Sequence, residues 1–188
     1  LAASAALSWV GRVLGAAPED MTSGLGPLPA ASATLFLPYL AGERTPHNDP
    51  DIRGGFFGLD HSHDRKAMTQ AVLEGVAFAS RDSLEAMKSS GNGVSRVMAI
   101  GGGSASHLWL RILAHALNVP VDVPADGDFG AAFGAARLGL LAQTGAQVSD
   151  VCTAPSIARS FEPDPAHRGY FDQRYARYRA LYPALSQG

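Results

Sequence analysis

The most constraining feature of the sequence is a run of three glycines between a short apolar segment and an amphipathic one. Residues 96–117 contain the apolar run 97–100, then Gly101, Gly102 and Gly103, then apolar residues at helical spacing. This order predicts a strand, a tight turn and a helix. Residues without a Cβ permit positive φ and let a ligand approach main-chain N–H groups. The turn is therefore a candidate nucleotide-contacting site, and a structural connection without a ligand is the alternative.

Composition narrows the class of protein and its partners. The chain has 188 residues, 46% of them hydrophobic, which is enough for one sizeable core. A net charge of -2 with intermixed signs gives no basic surface, so we expect no nucleic-acid partner. Cys152 is the sole cysteine, which favours a reducing, cytoplasmic compartment, and no apolar run reaches the roughly 18 residues of a membrane span. Because the chain begins at Leu1 in helical pattern, we expect it to be part of a longer polypeptide.

Strand and helix patterns alternate along the chain. Residues 34–37, 56–59, 97–100 and 119–123 are the predicted strands, and a long helix is predicted after its N-cap candidate Asp64. The alternation predicts an α/β fold with a mixed sheet covered by helices on both faces, and parallel pairing around Val97 and Val121. We divide the chain into an entering helix (1–15), a Gly- and Pro-rich linker (16–33), an α/β core (34–160) and a C-terminal aromatic helix (161–188).

Two later helices carry packing signals. Residues 129–143 are almost wholly apolar, with Gly130 and Gly134 one turn apart, so we expect this helix to be covered on several sides by closely packed backbone. The last helix places an aromatic stripe between arginines. The stripe is Phe171, Tyr175, Tyr178 and Tyr182. Its helical spacing predicts a face that docks on the core.

Two nucleotide-binding motifs can be compared with the glycine turn. A Walker loop is excluded, because Lys66 and Lys88 are the only lysines and neither follows a glycine turn. The dinucleotide fingerprint GxGxxG matches at Gly101 and Gly103 but has Ser106 at its third position. Asp122 lies at the distance expected of a ribose-binding acid, although inside a strand. A dinucleotide-binding oxidoreductase domain of the Rossmann type is therefore the alternative function.

Other polar groups permit both a ligand and a structural interpretation. His61 and His63 could ligate a metal, but a solvated turn is favoured because no third ligand is nearby. The pairs Asp49/Asp51 and Asp126/Asp128 could hold Mg²⁺ through water, although Asp128 is most simply a helix N-cap. We therefore assign no metal ligand and no catalytic residue to this chain.

Two arginines and the cysteine lie in predicted loops. Arg44 and Arg53 suit phosphate or carboxylate recognition, and ion pairs with neighbouring acids are an equal alternative. Cys152 has no activating neighbour, so we expect an inert side chain.

Four segments together resemble the C-terminal half of the FGGY carbohydrate kinases. They are residues 37–59 (LPYLAGERTPHNDPDIRGGFFGL), 71–77 (AVLEGVA), 100–104 (IGGGS) and 128–138 (DFGAAFGAARL). The resemblance covers nearly the whole chain. The GERTPHND loop is its most specific element and is similar to the xylulokinase branch.

The resemblance implies a ribonuclease H-like, actin-like ATPase fold in which two domains clasp ATP and a sugar. It assigns Gly101, Gly102, Gly103 and Ser104 to the ATP site, with Ser106 in place of an adenine-contacting Asn. It also implies Mg²⁺ on the phosphates and an inter-domain role for the helix that contains Gly134.

The family's catalytic aspartate and most of its sugar contacts would precede Leu1. The fragment alone is therefore expected to be inactive, and D-xylulose is the expected substrate of the intact enzyme. The sequence leaves the oligomeric state open, with a homodimer as one arrangement.

Overall fold

The computed structural model describes residues 3–26, 28, 33–125 and 130–186. The helices are α1 Ala3–Leu14, α2 Pro18–Ser23, α3 Arg65–Ser89, α4 His107–Leu117, α5 Ala131–Thr144, α6 Val148–Val151 and α7 Pro165–Leu185, with a 3-10 turn at Gly102–Ala105. The strands are β1 Leu35–Leu37, β2 Gly55–Phe57, β3 Val97–Met98, β4 Val121–Pro124 and β5 Ile157–Phe161. The predicted α/β class is confirmed. Among the described helices, none has the length and apolar character that a bilayer crossing needs.

The strands form two separate small sheets. β1 pairs with β2 in antiparallel orientation. The second sheet has the order β3-β4-β5, with β3 parallel and β5 antiparallel to β4. Val97 lies opposite Val121, so the predicted parallel pairing is confirmed. Because β3 is the first strand of this order, it is an edge strand within the described chain.

Helix α3 is the centre of the main core. Its N-terminus is capped as predicted, because Asp64 Oδ1 accepts the N–H of Ala67 at 2.9 Å. Val72, Leu73 and Phe78 are fully buried on this helix. At Gly75 a Cβ would collide with the carbonyl oxygen of Phe36, so the missing side chain lets α3 pack directly on β1.

Helix α7 docks on α3 through the predicted aromatic stripe. Phe171, Tyr175 and Tyr178 are buried, which confirms the prediction for these three residues, whereas Tyr182 at the end of the stripe is half-buried. The same face also buries Arg174, whose Nε donates to Glu74 Oε2 at 2.6 Å. Both side chains are at least 96% buried, and Arg174 also donates to the carbonyl oxygen of Thr34. Removing one partner of such a buried ion pair would leave the other charge buried without compensation, which is strongly destabilising.

The structure differs from the sequence expectations in several places, and it contains β5 and α6, which the sequence analysis did not predict. Helix α2, with Met21 buried, lies inside the predicted linker. Helix α5 buries none of its residues, and the position of a Cβ on Gly134 has no neighbouring atom within 4 Å. The expectation that α5 is covered is therefore wrong for the described chain, because α5 packs mainly against the short helix α6. Asp126, Asp128 and Phe129, predicted at its start, lie outside the described residues.

We predict that Arg174→Met lowers the free energy of unfolding by about 3 kcal/mol, because Glu74 would remain buried without its cation. Arg168→Met on the same helix is the matched control. Arg168 is 60% exposed and pairs with Asp172 at 3.5 Å, so its loss should cost less than about 1 kcal/mol. Urea denaturation of both variants measures the difference, and equal losses would contradict the importance assigned to burial.

Candidate functional site

The glycine turn lies directly after β3 and has a backbone that requires glycine at its first position. Gly101 has φ 81° and ψ -175°, a region that is open essentially to glycine alone. Ser104 folds back on it, with its Oγ donating to the carbonyl oxygen of Gly101 at 2.7 Å. Nothing lies within 4 Å of a Cβ built on Gly101 or Gly102. The main chain of the turn is therefore bare on this side.

Ser106 connects the turn to α4. It is the N-cap residue of that helix, and its Oγ accepts the N–H of Trp109 at 3.3 Å. One lone pair is thus used locally, whereas the hydroxyl hydrogen can still be donated to a ligand. The predicted site residues Gly101, Gly102, Gly103, Ser104 and Ser106 form one continuous stretch of this structure.

Trp109 packs against the glycine turn, a contact that the sequence analysis did not predict. Its side chain is 4% exposed, and its Nε1 donates to the carbonyl oxygen of Leu73 in α3 at 3.2 Å. A Cβ on Gly103 would lie 3.3 Å from the Trp109 ring. Gly103 therefore serves the packing of the indole, and the indole fixes the turn to α3.

Two cavities meet at the turn, and both are bordered by Gly102, Gly103 and Trp109. The α1–α2 cavity has a volume of about 610 Å³ and lies between α1, α2 and the start of α4. The α3–β3 cavity has a volume of about 690 Å³ and lies between α3, β3 and α4. Hydrophobic groups make up most of the lining of both cavities, and each also has polar groups in its wall.

The wall of the α1–α2 cavity contains groups that accept hydrogen bonds among its hydrophobic residues. Ser8 and Thr22 donate their hydroxyl hydrogens to main-chain carbonyls of their own helices, so their oxygen atoms remain acceptors. The carboxylate of Glu19 is a further acceptor in the wall. Hydroxyl or amino groups of a ligand would find partners here. Sequence reasoning missed this wall because it lies mostly in the predicted linker.

Asp122 is already committed to other protein groups. Arg96 donates to both of its carboxylate oxygens, through Nε and an Nη, at 2.7 Å each. The hydroxyl of Ser160 on β5 donates to it as well. The hydrogen bonds from Arg96, followed by that from Ser160, lower the pKa of Asp122. The carboxylate holds β4 and β5 together, and the interpretation as a ribose ligand has no support.

The other polar groups of the sequence have structural partners. His63 lies in a turn, with its Nδ1 2.9 Å from the carboxylate of Asp60. Asp49 accepts the N–H groups of Asp51 and Ile52 through Oδ1 and the hydroxyl of Tyr182 through Oδ2. Over residues 3–26, 28, 33–125 and 130–186, no three His, Cys, Asp or Glu side chains are placed to hold a metal ion.

The two loop arginines and the cysteine have no described contact with the glycine turn. Arg53 donates to the carbonyl oxygens of Pro50 and Ile52, whereas Arg44 is exposed. Cys152 is a free, exposed thiol at the end of α6. The hydrogen bonds of Arg53 therefore go to main-chain carbonyl oxygens, and not to the neighbouring acids that the sequence analysis named as alternative partners.

The element order and the glycine turn are typical of one class of nucleotide-binding domain. The chain has the ribonuclease H-like, actin-like ATPase fold, as predicted. It is similar to the structure of a xyloylose kinase from Brucella ovis, with 54% identity and a TM-score of 0.91, over 98% of this chain and 38% of that one.

The comparisons then give the family. Residues 4–143 match the FGGY family of carbohydrate kinases, C-terminal domain, and the chain belongs to this family. It is 34% identical to the xylulose kinase of Escherichia coli K12, over 98% of this chain, and 35% identical to the gluconokinase of Bacillus subtilis 168, over 82%. The chain spans 39% of the first of these relatives and 29% of the second.

We predict that Gly101→Ala lowers the free energy of unfolding by about 2 kcal/mol, because a Cβ strains this backbone conformation. Gly102→Ala is the control, since its Cβ enters open space and its φ is not positive; its effect should stay within about 0.5 kcal/mol. Denaturant unfolding compares the two. A harmless Gly101→Ala would show that the turn is not held in this conformation.

We also predict a pH-dependent effect of Asp122→Asn. Because the folded-state pKa of Asp122 is lowered, its contribution to stability is present above the ordinary carboxyl pKa and is lost as pH falls through the folded pKa. The variant should therefore be less stable than the parent at pH 7, and the two should converge in acid. Urea midpoints from pH 7 to pH 3 test this, and a gap that is constant with pH would contradict it.

Proposed function

We propose that this chain is the nucleotide-binding half of an ATP-dependent carbohydrate kinase. The observation that carries the proposal is the bare main chain at Gly101 and Gly102, of which Gly102 borders the α1–α2 cavity. Membership of the FGGY family and the xylulose kinase relatives support the same activity. The full reaction would transfer the γ-phosphoryl group of ATP to a hydroxyl of D-xylulose, giving D-xylulose 5-phosphate and ADP.

In this proposal the nucleoside part of ATP occupies the α1–α2 cavity. Its ribose hydroxyls and base amino group would donate to the acceptors on Ser8, Thr22 and Glu19, and Ser106 can donate a hydrogen bond in return. The phosphates would run along the glycine turn, because only a chain without side chains allows such a close approach. Ser104 borders the turn through its bond to Gly101.

The remaining chemistry is proposed to come from outside this chain. Phosphoryl transfer needs a base for the sugar hydroxyl and Mg²⁺ to offset the charge on the phosphates. The described residues offer no three-ligand metal group, so Mg²⁺ would be held by the phosphates and by residues upstream of Leu1. The upstream part would also supply the catalytic aspartate and most sugar contacts, and closure of the two halves would exclude water.

The choice of sugar and the cellular setting are the finer parts of the proposal. D-xylulose is favoured by the GERTPHND loop and by the xylulose kinase relatives, while the gluconokinase relative makes gluconate the comparison substrate for an assay. The free thiol of Cys152 favours a reducing, cytoplasmic location. A homodimer remains part of the hypothesis and is tested by sedimentation.

We predict that Gly102→Leu weakens ADP binding by about tenfold or more, equal to about 1.4 kcal/mol, because the side chain fills the space over the turn. Titration calorimetry with ADP and Mg²⁺ measures it on the intact kinase. Gly169→Leu is the matched control, since Gly169 is exposed on α7 and also has open space around it. The proposal fails if both variants bind ADP as the parent does.

A further inference from the structure

We propose that Glu19 contacts the base of the bound nucleotide and selects a purine that carries a 6-amino group. The inference rests on the proposed function, because it concerns the nucleoside that would occupy the α1–α2 cavity. Three observations carry it: the direction in which this cavity leads away from the glycine turn, the hydrogen bonds that its hydroxyl groups already make, and the position of the Glu19 carboxylate in its wall.

The α1–α2 cavity leads from the glycine turn to helix α2. Ser4 of α1 borders it together with Gly102, and Ser8 borders it one helical turn further along, about 6 Å away. Ser8 and Pro18 also border a groove of about 490 Å³ that continues along α1 to Arg12. A nucleotide with its phosphates on the turn therefore places its ribose beside α1 and its base, the end remote from the phosphates, towards α2.

The hydroxyl groups at the α2 end of the cavity act as acceptors towards a ligand. Thr22 Oγ1 donates to the carbonyl oxygen of Pro18 at 3.0 Å, and Ser23 Oγ donates to that of Asp20 at 3.2 Å. Each hydroxyl hydrogen is thus used within α2, whereas the oxygen atoms keep lone pairs for a ligand. A base edge that presents hydrogen-bond donors fits this end better than an edge that presents acceptors.

Glu19 adds a charged acceptor to the same end. Among the described residues, no hydrogen bond or salt bridge holds its carboxylate, which is exposed in the wall of the cavity. An ionised carboxylate has acceptor sites only, and a hydrogen bond to a charged group stabilises more than one between neutral groups. Asp20 is exposed as well but does not border the cavity. Of these two neighbouring acids, only Glu19 is therefore placed to contact a base.

The 6-position of a purine distinguishes the bases that such a wall accepts. The 6-amino group of adenine donates to a carboxylate. The 6-oxo group of hypoxanthine or guanine would instead bring a second acceptor against it and leave both acceptors without a partner. A site whose polar groups are left unpaired by an analogue rejects that analogue more strongly than a hydrophobic pocket does. The carboxylate of Glu19 therefore favours adenine nucleotides over their 6-oxo counterparts.

Titration calorimetry of the intact kinase with ADP and with IDP, each with Mg²⁺, tests the inference. The parent should bind ADP about tenfold more tightly than IDP. Glu19→Gln should reduce this ratio to about threefold or less, because an amide can accept from an amino group or donate to an oxo group. Asp20→Asn removes the same charge from the same helical turn and should leave the ratio unchanged. A parent without a preference for ADP, or a ratio that Glu19→Gln leaves unchanged, would overturn the inference.

A ligand without the 6-amino group shows whether the contact is direct. Glu19→Ala should weaken ADP binding by about tenfold but change the binding of purine riboside 5′-diphosphate by about twofold or less, because that ligand never made the contact. Equal weakening of both ligands would assign Glu19 a structural role and overturn the inference. If the parent binds ADP and the variants fail these tests, only the role of Glu19 is overturned. If the parent binds no ADP, the proposed function is overturned with it.

Discussion

Burial of α3 from several directions is the constraint on which the rest of the structure depends. β1 approaches it closely because Gly75 has no side chain. Helix α4 is held to it by the indole of Trp109, which donates to the carbonyl oxygen of Leu73. Helix α7 is held by the buried pair of Glu74 with Arg174. The position of the glycine turn follows from these contacts, because Trp109 packs against Gly103 and connects the turn to α3.

The three glycines of the turn have different tasks. Gly101 allows a backbone conformation that a side chain would strain. Gly103 makes room for the Trp109 ring beneath the turn. Gly102 has neither task in the contacts described, and the space over it is open. The structural explanation of the glycine run therefore accounts for two of its members, and the third is the one on which the proposed nucleotide contact depends.

The described chain displays large apolar side chains in two places. Helix α5 exposes Phe133, Leu138 and Leu140, and the exposed side chains of Met87, Met98 and Ile100 border the α3–β3 cavity. Contiguous apolar surface on this scale marks sites of contact. This agrees with a chain that spans 39% of a relative's length.

Local rules were enough for the features that depend on neighbouring residues. Asp64 as a helix cap and the aromatic stripe of α7 both follow from short-range patterns and are confirmed. The pairing of Val97 with Val121 also followed from the order of elements. The family resemblance itself depended on short segments that lie together in sequence.

Only the tertiary structure could decide which distant groups meet. Glu74 and Arg174 are separated by 100 residues, and Trp109 and Leu73 by 36, so no local pattern signals either contact. The wall of acceptors beside the turn comes from α1 and α2, which the sequence marks as an entering helix and a linker. For α5, composition showed that the helix is apolar but could not show what covers it. The spacing of apolar residues predicts which face of a helix is buried. The element that packs on that face is distant in sequence, so only the tertiary structure identifies it.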